Sequence, residues 1–127
     1  MGDRRHDVRA FLAAALLAFA CGASGAAADK PARGNQTYGA IAYHQPSKSL
    51  GWATDRRTSR EARVEALKLC GHEQCIVVAT VTRACVALAR DPKTFKVQKG
   101  ATRQEAETKA LAKCGAKCEV AAWTCTR

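Results

Sequence analysis

The sequence predicts an α+β domain of two pseudo-symmetric β-β-α-β units, an antiparallel-rich sheet of about six strands carrying two helices and stapled by disulfides. Three observations predict it. Residues 58–71 (TSREARVEALKLCG) lie over residues 102–115 (TRQEAETKALAKCG) without a gap, matching threonine, glutamate, two alanines, leucine, cysteine and glycine, which reads as an internal duplication. Short strand-like runs flank both copies at matching places. Six cysteines fall within the same stretch.

The first 28 residues are set aside from the fold. Arg4, Arg5 and Arg9 precede eleven consecutive apolar residues, Ala10 to Ala20, and a small-residue stretch ending Ala26-Ala27-Ala28. That is the layout of a secretory signal peptide, and eleven residues fall short of the roughly 20 needed to cross a bilayer. Residues 1–28 are therefore expected to be removed and the protein exported, to the periplasm or beyond, with no transmembrane segment in the mature form. An alternative cut would make Cys21 the acylated first residue of a lipoprotein, although Ala18 stands where such a box favours leucine. Residues 29–37 have no apolar periodicity and read as a flexible leader, leaving 38–127 as a single domain.

Each element then follows in order. Gly39-Ala40-Ile41-Ala42 is the first strand, Gln45-Pro46-Ser47 the turn, and Gly51-Trp52-Ala53 lies in the second strand. Thr58 with Glu61 three residues on marks a helix start as a capping box, and Gly71 marks its end. Ile76-Val77-Val78-Ala79 is the third strand. The second copy repeats the series with Val86-Ala87-Leu88-Ala89, the turn Asp91-Pro92-Lys93, the strand around Phe95-Lys96-Val97, a helix from Thr102 with Glu105 to Gly115, and Val120-Ala121-Ala122. On the helices the shared apolar positions Ala62/Ala106, Ala66/Ala110, Leu67/Leu111 and Cys70/Cys114 form a stripe about 140° wide that faces the core. Arg60, Arg63, Lys68, Lys109 and Lys113 are left mainly outward.

Removal of residues 1–28 takes Cys21 away and leaves Cys70, Cys75, Cys85, Cys114, Cys118 and Cys125, an even number in an exported chain. The repeat proposes Cys70–Cys75 and Cys114–Cys118, each pinning a helix end to a strand start. Cys85 and Cys125 have no cysteine counterpart in the first copy and form the remaining pair, Cys85–Cys125. A zinc site built from the paired cysteines and His72 competes with this reading, but Cys-x4-Cys and Cys-x3-Cys are looser than zinc-knuckle spacing. No metal and no cofactor is expected.

Catalytic constellations are not readable. His44 and His72 fall in no catalytic spacing, Glu61 and Glu105 are accounted for by capping, and there is no phosphate loop, nucleophile elbow or His-Glu-x-x-His run. Twenty-one basic and 11 acidic residues become 18 and 9 once residues 1–28 are gone, a formal charge of +9. Such an excess favours an anionic envelope component or an acidic protein as partner, with nucleic acid not expected for an exported chain. The last strand is apolar on both faces, so the sheet either curls and packs on itself or leaves a surface including Trp123 for a partner or a second copy in a homodimer. Burial of Trp123 is the expectation, as the commoner fate of a tryptophan.

Tyr38-Gly39-Ala40-Ile41-Ala42-Tyr43, Gly51-Trp52, Ala84-Cys85-Val86-Ala87-Leu88-Ala89, Gly100-Ala101-Thr102-Arg103 with the following Glu-Ala-Glu, Cys114-Gly115 and Trp123-Thr124-Cys125 resemble the exported bacterial family called domain of unknown function four-one-eight-nine. The resemblance covers residues 38–127 and implies export and paired cysteines, and it brings no catalytic residues. Val86 departs from the family's usual glycine, and Lys96-Val97-Gln98-Lys99 from its usual aromatics and glycines.

The functional expectation is an exported, non-enzymatic interaction module that engages an acidic partner, with Trp52, Trp123, His44, Arg56 and Arg57 as candidate binding residues. Two alternatives stand beside it. One is an inhibitor of an exported hydrolase, presenting the loop from His44 to Leu50; the other is a small envelope hydrolase, which needs a cleft holding His44 or His72 near a carboxylate.

Overall fold

A computed structural model describes residues 36–127. The expected signal peptide, Cys21 and most of the leader lie outside the described residues. Eight elements follow one another: β1 (Tyr38–His44), β2 (Ser49–Arg56), α1 (Ser59–Cys70), β3 (Ile76–Thr82), β4 (Cys85–Arg90), β5 (Phe95–Gly100), α2 (Arg103–Cys114) and β6 (Glu119–Cys125). All strand pairs are antiparallel. The six strands divide into two three-stranded sheets, β2-β1-β3 and β5-β4-β6, so each β-β-α-β unit closes its own sheet in the same order.

Side-chain size explains the layering. Along β1, Ala40 and Ala42 alternate with Ile41 and Tyr43, and all four are buried, so both faces of the strand are covered. The alanines meet Ala62, Ala66 and Cys70 of α1, whereas Ile41 and Tyr43 meet Val86, Leu88 and Ala122 of the other sheet. In β4 the division is the same, with Ala87 and Ala89 under Ala106 and Ala110 of α2 and Val86 and Leu88 pointing between the sheets. Small residues let a helix approach a sheet closely; large ones fill the gap of about 10 Å between two sheets. The result is four layers, helix, sheet, sheet, helix, and the self-packing alternative is the one the fold adopts. At the centre the Tyr43 and Phe95 rings meet edge to face, 5.0 Å between centroids.

Both helices start and stop where their sequence says. Thr58 and Thr102 are extended N-cap residues whose side chains accept from the amides of Glu61 and Glu105, each at 3.1 Å. Each cap of this kind contributes about 1 kcal/mol. The reciprocal half differs from the expected box: Glu61 accepts from the amide of Arg57 and Glu105 from that of Ala101, one residue before the cap. The extended cap residue leaves that preceding amide as the one the carboxylate meets. Gly71 ends α1 at φ +70, a left-handed conformation that a Cβ would penalise. Leu67 lies at the margin of the expected apolar stripe and is exposed.

Three irregularities were not foreseen by strict alternation, one of them an extra residue in β2 between Ala53 and Arg56, where Asp55 has φ +55. In β6 the register slips so that Ala122 faces Leu88 while Val120 faces Ala89, which puts Val120 and Ala122 opposite residues of different layers. A matching slip in β3 sets Ala79 against Ile41 and Val77 against Ala42. One extra residue in a strand, a β-bulge, reverses the facing of everything on one side of it.

Three disulfides join Cys70–Cys75, Cys85–Cys125 and Cys114–Cys118. The first and third tie each helix end to the strand that follows, and the second joins register partners at the head of β4 and the tail of β6. The chain ends are fastened beside it: the Thr37 amide donates to the Arg127 carbonyl at 3.0 Å and the Thr126 amide to that of Ala84 at 3.0 Å. Gln36 donates to the Thr82 hydroxyl, so the described contacts begin two residues before Tyr38.

Candidate functional site

The five candidate binding residues fall in three places. Trp52 and Trp123 are brought together at the seam where β2, the outer strand of one sheet, runs beside β6, the outer strand of the other. The strands touch through the Thr54 and Thr124 hydroxyls, 2.7 Å apart, and through Thr124 Oγ1 donating to the Ala53 carbonyl at 3.2 Å. Beyond that contact the seam opens into a groove of about 400 Å³ lined by Trp52, Trp123, Ala121, Ala122 and Thr54. Trp123 is 38% exposed, contrary to the expected burial; it pairs with Ala87 on the α2 side of β6, and Arg103 at the start of α2 lies over its ring. The Arg103 guanidinium lies 3.9 Å from the centre of the Trp123 ring, a cation-π contact, and its Nε donates to Glu107 at 2.6 Å. Sequence reasoning missed Arg103, which is twenty residues from Trp123 and reads only as the first residue of a helix.

Arg56 and Arg57 stand at the junction of β2 and α1. Arg56 Nη2 pairs with Glu65 of α1, and the Arg57 backbone amide donates to Glu61. Arg56 is thus partly committed to the fold, while the Arg57 side chain is exposed. Along this side of α1 a shallow groove of about 700 Å³ is lined by Arg56, Arg60, Lys68, the carboxylates Glu61 and Glu65, and the apolar Val64 and Leu69. Val64 and Leu69 are each 58% exposed there.

His44 lies elsewhere, stacked on His72 with ring centroids 4.0 Å apart and planes 13° from parallel. His44 Nδ1 and Ser47 Oγ share a 2.6 Å hydrogen bond, and Ser47 Oγ donates to Ser49 Oγ at 2.8 Å. His72 Nδ1 accepts from the Gln74 amide. Neither ring has a carboxylate among its hydrogen-bond partners in the described residues. Among those residues no three of His, Cys, Asp and Glu are grouped so as to hold an ion, and no helix is long and apolar enough to cross a membrane.

The loop from His44 to Leu50 is braced by the second unit. Gln45 Nε2 donates to the Lys93 carbonyl at 2.6 Å, Lys48 Nζ to that of Pro92 at 3.0 Å, and Arg90 to that of Lys48 at 3.1 Å. Asp91 anchors the partner turn by accepting the amides of Lys93 and Thr94, and those two bonds hold its carboxyl below the usual aspartate range. Glu105 is lowered likewise, first by the Lys109 ammonium and then by the Ala101 amide.

Comparisons with known proteins agree with this architecture. No match is found among curated proteins. The solved structure titled "NMR structure of Rv1813c from Mycobacterium tuberculosis" is 32% identical, covers 70% of this chain and 74% of its own, and superposes with a TM-score of 0.57. Residues 38–125 match the family described as "Domain of unknown function (DUF4189)", and with β1 to β6 and all six bridged cysteines inside that span, the chain belongs to this family.

Proposed function

We propose that this protein is an exported, non-enzymatic interaction module that docks on an anionic partner at or beyond the cell envelope. The observation that carries the reading is the difference between its two helices. Counted from their threonine caps, α1 presents Arg60, Arg63, Val64, Lys68 and Leu69 where α2 presents Gln104, Glu107, Thr108, Ala112 and Lys113. The two helices fill the same place in their units, so the scaffold is served by the second set. At these five positions α1 carries three cations and two exposed apolar side chains, against one cation and one carboxylate on α2; each helix as a whole has three cations and two carboxylates, so the difference lies in where the charge and apolar surface are placed, an arrangement that packing does not require. Three disulfides and the charged, apolar, small-residue order of the N-terminus support export.

Salt separates this reading from a shape-driven one. Screening length falls from about 30 Å at 0.01 M to about 8 Å at 0.15 M. Envelope material retained by the immobilised domain at the lower salt is expected to be released at the higher one. Retention equal at both concentrations, or no retention at either, would contradict it.

A further inference from the structure

Both tryptophans of the chain sit at the β2/β6 seam, and the fold itself shows that it does not need them there. The equivalent seam lies between β5 and β3. Trp52 pairs with Ile41 as Val97 pairs with Leu88, and Trp123 pairs with Ala87 as Thr80 pairs with Ala40. A valine and a threonine thus serve the same two places in the other unit. At the β2/β6 seam two large indoles are instead left 47% and 38% exposed. Exposed aromatic surface facing a shared groove marks a binding site more often than a packing need.

We propose that the groove between Trp52 and Trp123 binds a pyranose ring carrying a carboxylate, a uronic-acid residue of an acidic polysaccharide. Three features select this occupant. The flat C–H face of a pyranose stacks on an indole, and a floor of Ala121 and Ala122 leaves room for the ring; the volume of about 400 Å³ lies in the range of small-ligand sites. β2 and β6 are edge strands, so the outward backbone N–H and C=O groups beyond the Ala53–Thr124 contact have no ladder partner and can meet the hydroxyls of a sugar. Arg103 is not part of the groove lining but lies over the Trp123 ring that is; its Nε is on Glu107 and its two terminal nitrogens have no hydrogen-bond partner among the described residues, a fork that matches a carboxylate. The inference rests on the anionic-partner reading only for the charge of the ring, and it concerns a different surface from the outer face of α1.

With both tryptophans in the groove, intrinsic fluorescence reports on this site alone. Tetragalacturonate is the probe and maltotetraose its neutral counterpart. Tetragalacturonate is expected to give a saturable change, with maltotetraose at least about tenfold weaker. Trp52→Val and Trp123→Thr, the residues already tolerated in the other unit, are each expected to weaken tetragalacturonate binding about tenfold or more by calorimetry. Both variants should keep a near-native melting temperature, and each is an independent reading if the other misfolds. Arg103→Gln should bring tetragalacturonate down to the level of maltotetraose. Exchange of the α1 residues for those of α2 should leave sugar binding intact, so failure here and failure of the anionic-partner reading are told apart. The proposal is overturned by no saturable response to tetragalacturonate, by an equal response to maltotetraose, by undiminished binding in both tryptophan variants, or by sedimentation showing the indoles buried in a dimer of the chain.

Discussion

Removing the Cys85–Cys125 bridge by the double substitution Cys85→Ala/Cys125→Ala is expected to cost about 4 kcal/mol, the largest loss among the three disulfides. The bridge spans a sequence separation of 40, against 5 and 4 for the other two. Closing a long loop removes more freedom from the unfolded chain than closing a short one, and the short bridges contribute roughly 2 to 3 kcal/mol each. Location adds to this. Cys85 and Cys125 pair directly across β4 and β6, beside the Thr37–Arg127 and Thr126–Ala84 bonds that fasten both chain ends. In a domain this small the melting temperature should fall by roughly 20 °C. Calorimetric melting of the double variant checks it, and a fall no larger than that for Cys114→Ala/Cys118→Ala would contradict the loop-length argument.

Gly51→Ala is expected to be nearly as damaging through a different cause. A Cβ at Gly51 would lie 2.2 Å from the Ala66 carbonyl oxygen and 2.2 Å from the Cys70 amide nitrogen, both backbone atoms of α1. No rotamer relieves such a contact. The helix must lift from β2, opening the Ala40, Ala53, Ala62, Ala66 layer that its small residues close. Overpacking of this kind costs typically 1 to 3 kcal/mol, and about 3 is expected here because backbone must move. Denaturant unfolding should show a lowered midpoint at unchanged slope. A change below about 0.5 kcal/mol would mean that the helix rides on the sheet more loosely than the structure shows.

The helices were legible because their signals are local: a threonine, a glutamate three residues on, a small apolar stripe and a closing glycine. The strands were legible as apolar runs between turn formers. The division into two sheets was less so, since an apolar strand face does not declare whether a helix or another sheet will cover it. Residue size carried that information, with Ala40 and Ala42 for the helix and Ile41 and Tyr43 for the second sheet. The β3 and β6 bulges had no sequence mark, because they fall among ordinary apolar residues with no glycine to betray them. The cysteine pairing could be read because the two copies align their helix-end cysteines and leave one pair over.

At the candidate site the limits were those of distance along the chain. Trp52 and Trp123 could be named singly, but their meeting depends on how the two sheets lie side by side, a long-range outcome that no local pattern encodes. Arg103 over Trp123 and His44 on His72 are unreadable for the same reason. The asymmetry of the helices, by contrast, was present in the aligned copies and gained its meaning once both were seen to fill the same place.

The most direct measurement exchanges the outer face of α1 for that of α2, as Arg60→Gln, Arg63→Glu, Val64→Thr, Lys68→Ala and Leu69→Lys in one chain, and reads retention of envelope material at low salt. All five positions are solvent-exposed, so melting should change little, while retention should be lost. A folded variant that retains its anionic partner as well as the natural chain would show that docking does not lie on the face where the two units differ.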